Sequence, residues 1–306
     1  MSPCRQIALA LLLAGILTAK AQDTTEWEKK PVGYFMKKMS LRNACIKLKY
    51  TFHKKPEPAS DSLLRREGWL LTFEDNFDSL DTRKWRIGQA WGEMHPENPH
   101  QYYAASEVRT KDGYLYLGGS YKPKLIRYND SVRLIPYAIG LINTDISFTQ
   151  KYGYFEIRSM NPSGPATWPA FWLTGATRWP PEIDIFEMYG RKTGKSIHKQ
   201  YATVHWGKNN TRSRGYLTKT INLPNDTDSA FHIYACEWEK DYIKFYTDGH
   251  LVSHIRVNKR LRKWLDEEMV VVINNCFDRK YLKYLPESFS SNQFVVDWVR
   301  VYKKAE

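Results

Sequence analysis

The sequence predicts an all-β protein built as an antiparallel sandwich, and three observations carry that expectation. From Trp69 onward the chain falls into many short runs rich in β-branched and aromatic residues. Turns such as Lys111-Asp112-Gly113 and Thr247-Asp248-Gly249 separate them, and only Lys259–Glu268 reads as helix. Aromatic residues make up 14% of the chain, with 11 Trp and 20 Tyr, an excess suited to packed strands and ring-stacking surfaces.

In chain order, the first segment carries Arg5, an apolar run from Ile7 to Leu17, then Ala19-Lys20-Ala21. This is the pattern of a secretory signal peptide, residues 1–21, cleaved after Ala21. The run is short of the ~20 apolar residues that span a bilayer, so no integral membrane segment is expected after processing. A secreted or periplasmic location follows. Cleavage leaves Cys45, Cys236 and Cys276, an odd set with no zinc spacing; one bridge plus a thiol and three free thiols both stay open. The net charge is +13, and losing Arg5 and Lys20 with no acid leaves +11.

Residues 22–68 read as a basic extension and linker. Nine Lys and Arg fall between residues 29 and 55, Ile46, Leu48, Tyr50 and Phe52 alternate as in a strand, and KKPEPASDS marks a linker. A basic exported protein suits an anionic polysaccharide or a membrane surface, though a solvated basic face explains the charge as well. No helix-turn-helix or zinc-finger pattern supports a nucleic-acid partner. The remaining domain, residues 69–306, is expected to act as a monomer.

Its strand candidates are Trp69–Phe73, Tyr114–Leu117, Gly140–Ile146, Gly153–Arg158, Thr167–Leu173 and Ala202–His205. Ile233–Trp238, Ile243–Thr247, Met269–Asn274 and Phe294–Tyr302 follow.

The stretch Trp179–Gly190, WPPEIDIFEMYG, sets Glu182, Asp184 and Glu187 among strand-forming residues. Alternation puts Glu182 and Asp184 on one face and Ile183 and Ile185 on the other. Glu187 is out of phase by one residue. A β-bulge near Phe186 would return it to the acidic face. At ~3.3 Å per residue the two glutamates would then stand about 13 Å apart at the backbone, and their carboxyls about 5–6 Å apart, the spacing of a retaining glycosidase. A solvated acidic face or a metal site would use the same residue types.

The companions of this stretch decide between these readings. FEDNFDSLDTRKW, AWGEMHPENPHQYY, KDGYLYL, KYGYFEIRSM, TWPAFWLTG, EIDIFE, TVHWG, FHIYACEWEKDYIKFYTDGH and VVDWVRVYKK occur in that order over residues 69–306. The chain resembles glycoside hydrolase family 16 in its bulged ExDxxE form, the laminarinase, agarase and carrageenase side of the family. The resemblance implies a concanavalin A-like β-jelly-roll sandwich with a concave substrate cleft. It implies a secreted, endo-acting, retaining glycosidase that cleaves internal β-linkages of a polysaccharide, a β-1,3-glucan or a β-galactan, sulfated or not. A non-catalytic lectin on the same sandwich is the alternative, and the intact acid triplet speaks against it.

By resemblance Glu182 is the nucleophile, Glu187 the general acid/base and Asp184 the partner between them. His205 matches a family His on the leaving-group side, and Asp297 matches a carboxylate at a structural calcium, while catalysis itself is expected to need no cofactor. Trp168 and Trp172 share a parity on their strand, so both suit sugar stacking, with Phe171 behind them. Trp91, Trp179 and Trp206 are further stacking candidates. Two departures stand out. Pro181 replaces the usual Gly before the nucleophile, and INNCFDRKYLKYL brings Lys, Arg and Tyr where laminarinases carry a Gly-rich stretch. Those basic residues point toward an anionic substrate.

Overall fold

The computed structural model describes residues 68–305 apart from 95–97, 129, 195–197, 208–213 and 224–226. The signal segment, the linker, Cys45 and the strand expected near Ile46 lie outside the described residues.

The strands in chain order are β1 (Trp69–Asp75), β2 (Arg86–Ile87), β3 (Gln101–Tyr103), β4 (Val108–Lys111), β5 (Tyr114–Tyr128) and β6 (Ser131–Ile139). Then come β7 (Leu141–Asn143), β8 (Gly153–Met160), β9 (Thr167–Gly175), β10 (Glu182–Met188), β11 (Lys199–Gly207) and β12 (Arg214–Asn222). The last are β13 (His232–Trp238), β14 (Tyr242–Thr247), β15 (His250–Arg256), β16 (Met269–Phe277) and β17 (Ser291–Lys304), with helix α1 (Lys259–Trp264) before β16. They form two sheets. The ten-stranded sheet runs β15-β14-β13-β8-β17-β5-β6-β3, with β1 on β17 and β4 on β5, and the seven-stranded sheet runs β12-β11-β10-β9-β16-β7-β2. Nearly all pairs are antiparallel; β3 and β6 run parallel.

Among the described residues, every strand predicted from the sequence is present, most of them longer than predicted. The helix is shorter than expected. Asn258 caps its start by accepting from the Leu261 N–H at 2.9 Å, and it ends as the Leu265 N–H turns back to Arg262 and Leu261. β2, β3, β4, β6, β12 and β15 were not predicted. β12 and β15 are sheet edges, paired on one side and half exposed, so burial imposes no clean alternation on them. β6 carries Pro136.

The core lies between the sheets. Ile183, Ile185, Phe186 and Met188 of β10 meet Phe155, Ile157, Phe294 and Val296 of the opposite sheet within one buried cluster. Full burial of side chains of this size contributes about 1.5–3 kcal/mol each. The opening motif has its own cause. Buried Asp75 accepts from the Phe77 N–H and from the Trp85 indole, both at 2.8 Å, so one carboxylate closes the turn that seats Trp85 in the core. Cys236 and Cys276 are free thiols.

Asp297 lies on the outer face of the ten-stranded sheet, where its carboxylate takes a close ion pair from Arg158. The calcium expected here does not fit these surroundings. A guanidinium occupies the one carboxylate that the cation would use.

Candidate active site

β10 lies between β11 and β9 in the seven-stranded sheet, and its irregularity makes the site. Against β9, Asp184 pairs with Trp172 and Phe186 with Phe171, two steps on one strand for one on the other. Against β11, Asp184 pairs with Thr203 and Glu187 with Tyr201, three steps for two. The bulge therefore sits at Ile185–Phe186, and both of those side chains are fully buried in the core. Two consecutive inward residues reset the alternation, so Glu182, Asp184 and Glu187 all line the groove.

The loop before β10 is tied down at both ends. The Gly175 N–H donates to the Pro181 carbonyl at 2.9 Å, and a Cβ on Gly175 would meet the Arg178 carbonyl oxygen at 2.4 Å. Arg178 is held by Glu267 at 2.5 Å and by the Trp264 carbonyl at 3.2 Å. This fixes Trp179, whose indole Nε1 donates to Glu182 Oε2 at 2.7 Å. His205, directly across β11 from Glu182, brings Nε2 to 3.4 Å from Glu182 Oε1 and 3.2 Å from Asp184 Oδ2. Glu187 Oε1 accepts from Trp168 Nε1 at 2.9 Å and from the Tyr189 hydroxyl at 2.8 Å.

Burial raises all three carboxyls. Glu182 is pushed up to about 8, first by burial and then by the neighbouring Asp184 charge, against the pull of His205 and the Trp179 bond. Asp184 is held well above its usual range by burial and then by Glu187. Glu187 is raised by burial, while the Tyr189 and Trp168 bonds oppose the rise. Three acids crowded into one dry face do not ionise together, so the set keeps a proton at neutral pH. The donor atoms of Glu182, Asp184 and His205 lie within 4.8 Å of one another, close enough to share a proton or a cation.

The groove crosses the outward face of the seven-stranded sheet and encloses ≈ 1430 Å³. That exceeds the roughly 300–1,000 Å³ of a small-molecule pocket, and it suits several sugar rings in a row. Trp91, Trp168, Trp172, Trp179 and His205 line it. Trp172 is turned by a 2.7 Å bond from its Nε1 to Asn274 Oδ1. Trp91 is exposed at 58%.

Two expectations need correction. Trp206 follows His205 on β11, so alternation sends it to the other face. It packs against the core cluster and so closely over β12 that a Cβ on Gly215 would approach its ring at 2.5 Å. The basic residues of INNCFDRKYLKYL also miss the groove. Arg279, Lys280 and Lys283 are exposed on the turn Arg279–Tyr284, outside the lining; only Asn274 and Cys276 of that stretch reach it.

Tyr189, Tyr216 and Arg127 are among the lining residues that escaped the sequence reading. Tyr189 was detectable by parity, two places after Glu187. Tyr216 projects from edge strand β12 with its ring 6.0 Å from that of His205. Arg127 comes from the β5–β6 hairpin of the other sheet, a placement no local pattern encodes.

A jelly-roll sandwich with two glutamates facing one groove, one beside an Asp–His pair and the other under an indole and a phenol, defines the class of retaining glycoside hydrolases. The chain belongs to glycoside hydrolase family 16. Residues 70–304 match the family profile described as the GH16 domain of beta-porphyranases A–D. A "Beta-glucanase" of Rhodothermus marinus is 30% identical over 280 residues, covering 81% of this chain and 90% of that protein. The "Endo-1,3-1,4-beta-glycanase EglC" of Rhizobium meliloti is 31% identical over 210 residues, 62% of this chain but only 43% of the relative's length. The fold superposes on the catalytic domain of an endo-1,3-beta-glucanase from Thermotoga petrophila with a TM-score of 0.64, at 24% identity, covering 78% of this chain and 99% of that one.

Proposed function

We propose that this protein is an exported, endo-acting, retaining hydrolase that cuts internal β-linkages of an anionic, sulfate-bearing galactan. The bulge in β10 carries the enzymatic reading, because it brings a second glutamate onto the nucleophile's face, and a sugar-binding lectin has no use for that residue. Ionised Glu182 attacks the anomeric carbon from one side while Glu187 gives a proton to the departing glycosidic oxygen. Esterification removes the Glu182 charge, which lets Glu187 stay ionised and take a proton from the incoming water. Two inversions give net retention. Asp184 and His205 flank Glu182 and adjust its charge.

The substrate reading rests on Arg127, on the charge of the chain and on the porphyranase description of the family profile. Arg127 lines the groove, exposed and facing no ion-pair partner among the described residues, while the other lining cation, Arg178, is engaged by Glu267. Export rests on the composition of residues 1–21, and intact-mass analysis of exported protein should find Gln22 first.

The test of the two glutamates is chemical. Glu182→Ala should abolish hydrolysis of every substrate. Glu187→Ala should still be glycosylated by an activated glycoside and then stall, and azide should release a glycosyl azide of retained configuration. An inverted azide product would mean that Glu182 is not the nucleophile. Profiling on a porphyran, agar, carrageenan and β-1,3-glucan panel tests the substrate, and a preference for neutral glucan would reject the anionic galactan.

A further inference from the structure

Two donors converge on one oxygen of Glu187. The Tyr189 hydroxyl and the Trp168 indole N–H both reach Oε1, at 2.8 and 2.9 Å, and an indole N–H can only donate. As a bare acceptor Oε1 takes both donors, one at each lone pair, whereas a proton on Oε1 would displace one of them and force the Tyr189 hydroxyl to turn round and accept. The arrangement that keeps both donors favours the proton of the neutral acid on Oε2. Tyr189 stands in reach because two steps along a strand return to the same face. Its ring is fixed by Trp168 at 5.4 Å and edge-on by Tyr201 at 5.2 Å, and Arg191 in turn donates to the Tyr201 hydroxyl.

We propose that Tyr189 is a positioning residue which, with Trp168, dictates the oxygen of Glu187 that holds and recovers the transferable proton. This rests on Glu187 being the acid/base. In the first step the Oε2–H proton passes to the glycosidic oxygen as its bond to the anomeric carbon breaks, and that bond's electron pair stays on the leaving oxygen. The negative charge left on Glu187 spreads to Oε1, where both donors strengthen. In the second step Oε2 takes a proton from water as the water oxygen bonds the anomeric carbon and Glu182 departs as a carboxylate. The same two bonds oppose the rise that burial imposes on Glu187.

The experiment is Tyr189→Phe, which keeps the ring and removes the donor. kcat/KM is followed against pH on the polysaccharide, and the glycosylation rate is followed on an activated aryl glycoside. Losing a bond that favours the carboxylate raises the Glu187 pKa, so the alkaline limb should move up by about one pH unit. Polysaccharide turnover should fall by about ten- to a hundred-fold, while glycosylation by the aryl glycoside, which needs no proton, should fall less than about three-fold. Trp168→Phe, which removes the other donor to the same atom, should shift the limb in the same direction. An unmoved limb in a variant with unchanged Tm, or equal losses on the two substrates, would reduce Tyr189 to packing and overturn the proposal. Failure of the acid/base reading looks different: Glu187→Ala would show no azide rescue, whatever Tyr189 does.

Discussion

Replacing Trp179 with Phe would remove one bond to Glu182, the proposed nucleophile, while keeping an aromatic ring in the groove. The indole donates to Glu182 Oε2 at 2.7 Å, and the bond favours the ionised form. A hydrogen bond to a charged group is worth about 1.5–3 kcal/mol, and one pKa unit is about 1.4 kcal/mol, so its loss should raise the Glu182 pKa by about one to two units. The starting value is already near 8 because of burial. Below the pKa, each added unit cuts the ionised fraction about ten-fold. kcat/KM at neutral pH should therefore fall about ten- to a hundred-fold, and the acid limb should move alkaline by the same one to two units. The limbs belong to the coupled carboxyl set, so the movement of the limb is the quantity to read. The assay is kcat/KM across pH on one defined oligosaccharide. A loss equal at every pH would mean that Trp179 acts only as a sugar platform, and the charge argument would fail.

Other outcomes follow from the fold and the groove. Asp75→Ala strands two buried donors, the Phe77 N–H and the Trp85 indole, and should cost about 2–4 kcal/mol in urea unfolding. Arg127→Gln should lower turnover of a sulfated galactan and flatten its dependence on ionic strength, since groove charges are screened over about 8–10 Å at 0.1–0.15 M salt; an unchanged salt profile would remove Arg127 from substrate recognition. Adding chelator should leave the Tm where it was, because Arg158 already neutralises Asp297; a clear drop would restore the calcium.

What the sequence revealed and concealed divides along physical lines. The bulge was legible because Glu187 stands one place out of phase with two other acids, and two adjacent apolar residues, Ile185 and Phe186, sit between. The groove Trp residues on β9 were legible by alternation. Trp206 misled because an aromatic beside a site residue looks like part of the site, yet its parity is opposite to that of His205. Tyr189 obeyed the same alternation and was overlooked. Arg127 was hidden for a different cause: it reaches the groove from the far sheet through a long hairpin, and only tertiary structure joins the two. The basic turn at Arg279–Tyr284 shows the reverse, charges close in sequence to groove strand β16 that fold away from it.

The bulge in β10 also bears on how this strand tolerates change. Both neighbours pair with it as though one residue were missing, since β9 and β11 each count one step fewer across Ile185 and Phe186. A regular strand one residue shorter would place its first and last glutamates four positions apart, on the same face by simple alternation. It would keep the register of both flanking strands. The extra residue is thus a switch in reading frame at the level of geometry: two strand lengths, separated by a single codon, present the same pair of acids to the same groove. The shorter form spends one inward side chain where this one spends two, so the difference between them falls on the filling of the core and not on the chemistry of the cleft.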